Sequence, residues 1–158
     1  PYTTILGPGE HPFPTSYVRS TVTMLIDPQV FLGRVTEDFF QAGGNFVNRN
    51  FLDKKELLQL PEPVIFNCTG MGSRDLFDDK ELIPIKGQLI FLPPDPAIDY
   101  MTIGGGLGDL YMFPRSDVLL LGGFYKPNNP SKHIEPDETQ RIITEHQNLF
   151  SEVRKKIR

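Results

Sequence analysis

The sequence lacks several features that decide function in other chains. No apolar run approaches the ~20 residues that a membrane-spanning helix needs, and nothing in it resembles a signal peptide. A single cysteine, Cys68, excludes an internal disulfide. No histidine or basic cluster stands near Cys68 to favour a thiolate, so it reads as a small buried hydrophobe. The three histidines, His11, His133 and His146, lie scattered over loop and helix positions without metal-ligand spacing, which argues against a metal. Lys and Arg number 16 against 20 Asp and Glu, and the net charge of −4 argues against a nucleic-acid partner. There are no internal repeats. The one glycine cluster, Ile103-Gly104-Gly105-Gly106-Leu107-Gly108, is not followed by the helix that a phosphate-binding turn opens, because Pro114 soon blocks it. We read it as a plain turn.

The composition that remains, 39 % apolar and 23 % charged over 158 residues, is that of a soluble globular piece able to bury a core. Pro1 to Pro14 reads as an extended, proline-rich lead-in. Tyr17 to Ile26 alternates, with Tyr17, Arg19, Thr21 and Thr23 on one face, which predicts a half-buried strand. Asp27 then caps a helix with Pro28 at its first position, and Val30, Phe31, Val35, Phe39 and Phe40 follow a helical period until Gly43-Gly44 stops it. Asn45 to Phe51 reads as a short strand. Asp53 to Leu58 gives one or two helical turns, and Pro61 and Pro63 lead into the apolar run Val64-Ile65-Phe66, which has the composition of a buried parallel strand. That order fits part of a doubly wound layer.

After Gly70 the character changes. Arg74 to Phe77 predicts a helical turn, and strands follow at Gln88–Leu92, Ala97–Ile103, Leu110–Phe113 and Val118–Phe124. The last two are joined by Pro114-Arg115-Ser116-Asp117 as a hairpin turn, with Arg115 facing solvent. A final helix runs from about Pro136 to Lys156, with Ile142, Ile143, His146, Leu149, Phe150 and Val153 along one face. The basic end Arg154-Lys155-Lys156-Ile157-Arg158 complements that helix's C-terminus.

One stretch carries more than local structure. Val64-Ile65-Phe66 ends in Asn67-Cys68-Thr69-Gly70, and about fifteen residues later Pro84-Ile85-Lys86-Gly87-Gln88 feeds the strand Leu89 to Leu92. The two motifs in this order and spacing resemble flavoenzymes of the D-amino-acid oxidase family, in which a strand ending in N-C-T-G precedes a P-x-x-G-Q turn. The likeness runs from about Tyr17 to Phe124. It includes Asn48-Arg49-Asn50-Phe51 and the hairpin from Leu110-Tyr111-Met112-Phe113-Pro114 to Leu121-Gly122-Gly123. The fold class it implies is α/β mixed with α+β: fragments of a doubly wound FAD-binding layer, about residues 27–77, interleaved with an antiparallel substrate-covering sheet, residues 17–26 and 86–125, and a helix at 136–157. The family's Gly-rich FAD-binding element has no counterpart here, nor does the segment that carries its carboxylate-binding arginine. The chain is therefore expected to be the middle part of a larger enzyme, with the enzyme's remaining segments as partners.

The resemblance also implies roles. Phe51, Cys68, Thr69 and Gly70 match positions that approach FAD, Phe51 through its backbone. Small residues at a strand end suit this, since glycine lets a ligand come close and free amides suit phosphate and ribose oxygens. Tyr111 matches a tyrosine that hydrogen-bonds the substrate carboxylate, a task suited to a phenol, which is a donor at neutral pH on a rigid, mostly apolar body. A second pocket tyrosine of the family falls on Leu107. That departure leaves room for another amine, an N-alkylated amino acid or a different acid. Arg19, on the polar face of its strand, is a second candidate for a carboxylate through its bidentate fork. Lys86 lies near the expected rear of the flavin. The implied reaction is hydride transfer from an amino acid or amine to FAD, the cofactor carrying the chemistry and no residue here acting as a catalytic base. A cytoplasmic or peroxisomal-type compartment suits such an enzyme. Two alternatives stand beside this: a dehydrogenase of the same fold using an acceptor other than oxygen, and a non-catalytic truncated domain acting as an interaction module.

Overall fold

The computed structural model describes residues 2–105 and 109–157. They form a mixed α/β fold with antiparallel strand pairs, and the chain divides into two compact units. Residues 1–31, 87–125 and 132–158 make the first, and residues 32–86 and 126–131 the second.

The first unit holds both sheets. Strand β1 (Thr3–Leu6) pairs antiparallel with β2 (Val18–Thr21) in the register Thr3↔Thr21 through Leu6↔Val18. The lead-in thus contributes a strand, because its Thr-Thr-Ile-Leu run is β-branched and finds a partner in Val18-Arg19-Ser20-Thr21. The strand expected over Tyr17–Ile26 shrinks to four residues and is mostly exposed. The larger sheet has the order β3 (Ile85–Leu92), β6 (Leu119–Pro127), β5 (Tyr111–Pro114), β4 (Thr102–Ile103). Of the strand predicted over Ala97–Ile103 only the last two residues pair. Asp95 explains this: its carboxylate accepts from the Ala97 amide at 2.9 Å and its carbonyl from Ile98 at 3.0 Å, which folds the segment into a turn. The hairpin at residues 114–117 forms as expected, closed by Arg115 N–H to Val118 O at 2.8 Å.

Helix α4 (Pro136–Ile157) packs one face on this sheet. Ile142, His146, Leu149 and Val153 are its buried residues, spaced three or four apart as the pattern required. The core joins Ile142 to Met112, Leu119 and Leu121, with Ile90, Ile98, Phe124 and Phe150 packed around them. Full burial of each such side chain contributes about 1.5–3 kcal/mol.

Helix α1 (Pro28–Gln41) begins in the first unit, where Asp27 Oδ1 accepts from the Gln29 amide at 3.0 Å. In the second unit it ends where Gly43 takes a φ of +87° and the amides of Gly43 and Gly44 return to Phe40 O and Phe39 O. The apolar stripe is present but not buried: no residue of α1 is buried. The helix α2 (Lys54–Leu57), capped by Asp53, and the turn α3 (Gly72–Leu76) follow. The strands expected at Asn45–Phe51 and Val64–Phe66 do not form. A parallel strand is held by hydrogen bonds to its neighbours, and no described residue pairs with either segment. Val64 and Phe66 stay 66 % and 85 % exposed. No helix among the described residues is long and apolar enough to cross a membrane.

Candidate functional site

The strongest candidate sits on β5. Strand alternation sends Leu110 and Met112 into the core, 1 % and 2 % exposed, and puts Tyr111 and Phe113 on the opposite face, half-buried. Their rings lie 5.3 Å apart. Tyr111 stands opposite Gly122 in the sheet register, and a Cβ built on Gly122 would come within 2.0 Å of the tyrosine ring. The ring therefore lies flat across a position only glycine allows. Partial burial pushes the Tyr111 phenol above its ordinary pKa, so the hydroxyl is an O–H donor throughout the neutral range.

Two residues of α4 hold this platform from behind. Arg141 reaches Glu138 at 2.8 Å and Glu145 at 3.2 Å on its own helix, Asp109 at 3.2 Å just before β5, and the Gly123 carbonyl on β6. These acids, Glu138 first, hold its guanidinium more firmly protonated than usual. His146, 3 % exposed, places Nδ1 2.8 Å from Ile142 O and Nε2 3.2 Å from the carbonyl of Tyr111 itself. Sequence reading missed both. The helical spacing of Glu138, Arg141 and Glu145 was a legible signal; the link to Asp109 was not.

The second unit contains the turn Asn67–Ser73. Asn67 Oδ1 accepts from the Thr69 amide at 3.2 Å and from Thr69 Oγ1 at 2.8 Å, its Nδ2 donates to Ser73 Oγ at 2.8 Å, and Thr69 Oγ1 meets Ser73 Oγ at 2.8 Å. The amides of Cys68 and Gly70 stay outside these bonds. Gly70 has a φ of +55°, and nothing lies within 4 Å of where its Cβ would stand. The turn thus combines an open glycine with two amides outside its own bonding. Cys68 is exposed, not the buried hydrophobe its neighbours suggested, because the run before it forms no strand that would seat it between layers. Phe51 is half-buried under the Arg49 guanidinium, 4.8 Å from its ring centre, and leaves its backbone outside any strand.

The remaining expectations fall as follows. Arg19 lies exposed on the two-stranded sheet, and no hydrogen bond joins it to Tyr111. Arg115 does not face solvent: its side chain is 13 % exposed and pairs with Asp27 at 3.5 Å and Asp117 at 3.0 Å. The capping carboxylate draws it in. Ser116 adds a bond to Asp27 at 3.0 Å, so the hairpin is fastened to the start of α1. Lys86 is buried. Leu107 and the end of the glycine cluster, residues 106–108, lie outside the described residues. Among the described residues no group of three or more His, Cys, Asp or Glu is arranged to hold a metal.

No family model matches the chain. Curated relatives do. A D-amino-acid oxidase from Schizosaccharomyces pombe is 27 % identical over 143 residues, covering 87 % of this chain and 41 % of that one. A D-amino-acid oxidase from Streptomyces coelicolor is 30 % identical, covering 75 % of this chain and 37 % of its own. The human D-aspartate oxidase is 32 % identical, over 65 % of this chain and 29 % of that one. The chain thus spans about two fifths or less of the length of the curated relatives it matches.

Proposed function

Because this chain belongs to the D-amino-acid oxidase family, we propose that it takes part in an FAD-dependent oxidation of an amino acid or amine, supplying one wall of the substrate pocket and part of the nucleotide site. The observation that carries this reading is the Tyr111 platform. A phenol held flat over Gly122, beside Phe113, offers one hydrogen-bond donor on an otherwise apolar surface. Such a surface suits an amino acid: the donor takes the carboxylate, and the apolar neighbours take the side chain and thin out water around it. Arg19 is the second candidate for the carboxylate. Its guanidinium makes no hydrogen bond or ion pair among the described residues, and its fork suits two oxygens.

Thr69 and Gly70, with the exposed backbone at Cys68 and Phe51, are the residues that would hold the nucleotide. FAD, when bound, supplies the hydride acceptor. The chain's own residues orient and desolvate; none is placed as a base. The exposed apolar side chains of α1 and of Val64–Phe66 support further segments of the same enzyme as partners.

The test is anaerobic mixing of the flavin-loaded protein with D-amino acids, N-alkylated amino acids and simple amines. Bleaching of the oxidised-flavin absorbance by at least one class is expected. A full-length enzyme containing this chain that carries no flavin, or flavin that no member reduces, refutes the reading and favours the interaction-module alternative. Admitting oxygen afterwards sorts oxidase from dehydrogenase by the rate at which colour returns.

A further inference from the structure

We propose that His146 is a positioning residue for Tyr111, its Nε2–H donating to the Tyr111 carbonyl and so setting where the phenol points. The inference rests on the reading that Tyr111 meets the substrate. His146 occupies a buried position on an α4 face otherwise made of Ile142, Leu149 and Val153. An aliphatic side chain would fill that place without the cost of burying two polar nitrogens. Each nitrogen instead faces a carbonyl, Ile142 O at 2.8 Å and Tyr111 O at 3.2 Å; a neutral ring donates to only one of them, and in the proposed tautomer that proton is on Nε2.

The two contacts differ in what they achieve. Ile142 O is the carbonyl four residues back on the same helix, which the His146 amide already meets in a regular α-helix. The Nε2 contact spans 35 residues of sequence and ties the helix to Tyr111, whose ring faces the opposite side of the strand. Only a ring protonated on Nε2 donates there. The phenol sits at the end of a long lever. A turn of about 10° in the Tyr111 backbone moves its oxygen by roughly 1 Å, a misplacement that costs up to about a hundred-fold in oriented reactions. Arg141, bound to Asp109 and Gly123 O, fixes the strand ends nearby but makes no bond to Tyr111.

Two polar variants separate positioning from packing. His146→Gln keeps a donor near the Nε2 position, whereas His146→Asn keeps one only near Nδ1. In the flavin-loaded oxidase, His146→Asn should lower kcat/KM for an amino acid by about three- to tenfold, the worth of one hydrogen bond. His146→Gln should restore most of it, and a carboxylate-free amine should be indifferent to both. Equal losses in the two variants, or an equal loss with the amine, overturn the proposal. Tyr111→Phe run alongside tests the substrate reading separately. If that change has no effect, the proposal is judged on the backbone contact alone, by nitrogen-15 spectra of the protein labelled at its three histidines. A protonated, exchange-protected Nε2 on His146 upholds the contact, and an unprotonated Nε2 overturns it.

Discussion

Tyr111→Phe is the sharpest test of the proposed pocket, because the structure says what it leaves alone. The ring lies across Gly122 and beside Phe113, and phenylalanine keeps the ring carbons of both contacts, losing only the hydroxyl at the edge of the Gly122 seat. The hydroxyl makes no bond among the described residues, so its removal strands no buried partner, and stability should change by less than about 0.5 kcal/mol. If the hydroxyl donates to a substrate carboxylate, the loss is that of a hydrogen bond to a charged group, about 1.5–3 kcal/mol. This is a roughly ten- to hundred-fold fall in kcat/KM for amino acids. Steady-state kinetics with an amino acid and with the matching amine lacking the carboxylate read the difference, and flavin content and the thermal midpoint serve as controls. Gly122→Ala supplies the contrast. Its Cβ would stand 2.0 Å from the tyrosine ring, so the ring must leave its seat, and both substrates and stability should suffer. If Tyr111→Phe slows the acid and the amine alike, or neither, Tyr111 is packing and the carboxylate is bound elsewhere.

Gly70→Asn should weaken flavin binding while the fold survives, since asparagine tolerates the left-handed φ of +55° yet fills the open space. Full flavin occupancy in that variant would show the turn to be a connection only. The 158-residue chain alone should bind FAD no better than the micromolar range, because its sequence has no glycine-rich strand–helix turn for the pyrophosphate. Fluorescence titration checks this, and a clearly tighter affinity would count against it. Burial alone would raise the pKa of Asp27, but bonds from Ser116 and the Gln29 and Val30 amides, with the Arg115 charge, hold its carboxyl below 3.8. A depressed carboxyl stabilises the fold above its unfolded pKa and ceases to do so as pH falls through the folded one. Urea midpoints of the wild type and Asp27→Asn should therefore differ at pH 6 and converge below about pH 3.8; a gap that widens in acid would reverse the assignment.

What the sequence made legible was local. Asp27-Pro28 and Gly43-Gly44 mark both ends of α1 because caps are chosen by backbone geometry and need no distant partner. The spacing of Ile142, His146, Leu149 and Val153 marks the buried side of α4 for the same reason. Burial itself was not legible where it depends on a neighbour. Val64-Ile65-Phe66 has a strand's composition, yet a strand exists only when another pairs with it, and α1 shows a complete apolar stripe that nothing in the described residues covers. Cys68 follows from the first failure. Its exposure is decided by the missing strand and not by its own chemistry.

The candidate site divides along the same line. The sequence marked a strand around Tyr111, and only the family resemblance suggested what its phenol meets. The supports behind it, His146 and the Asp109–Arg141 link, join residues 35 and 32 positions apart, distances over which no periodicity operates. Yet a trace was present. A histidine inside an aliphatic helix stripe is a polar interruption that must be satisfied once buried, and beyond its own helix's carbonyl the groups able to satisfy it are on whatever that helix packs against. The sheet strand under α4 contributes Met112 to the core, so its neighbouring carbonyl at Tyr111 is within reach by construction. A buried polar residue on an apolar face thus points through the sheet to the residue displayed on the far side, and here that residue is the one proposed to hold the substrate.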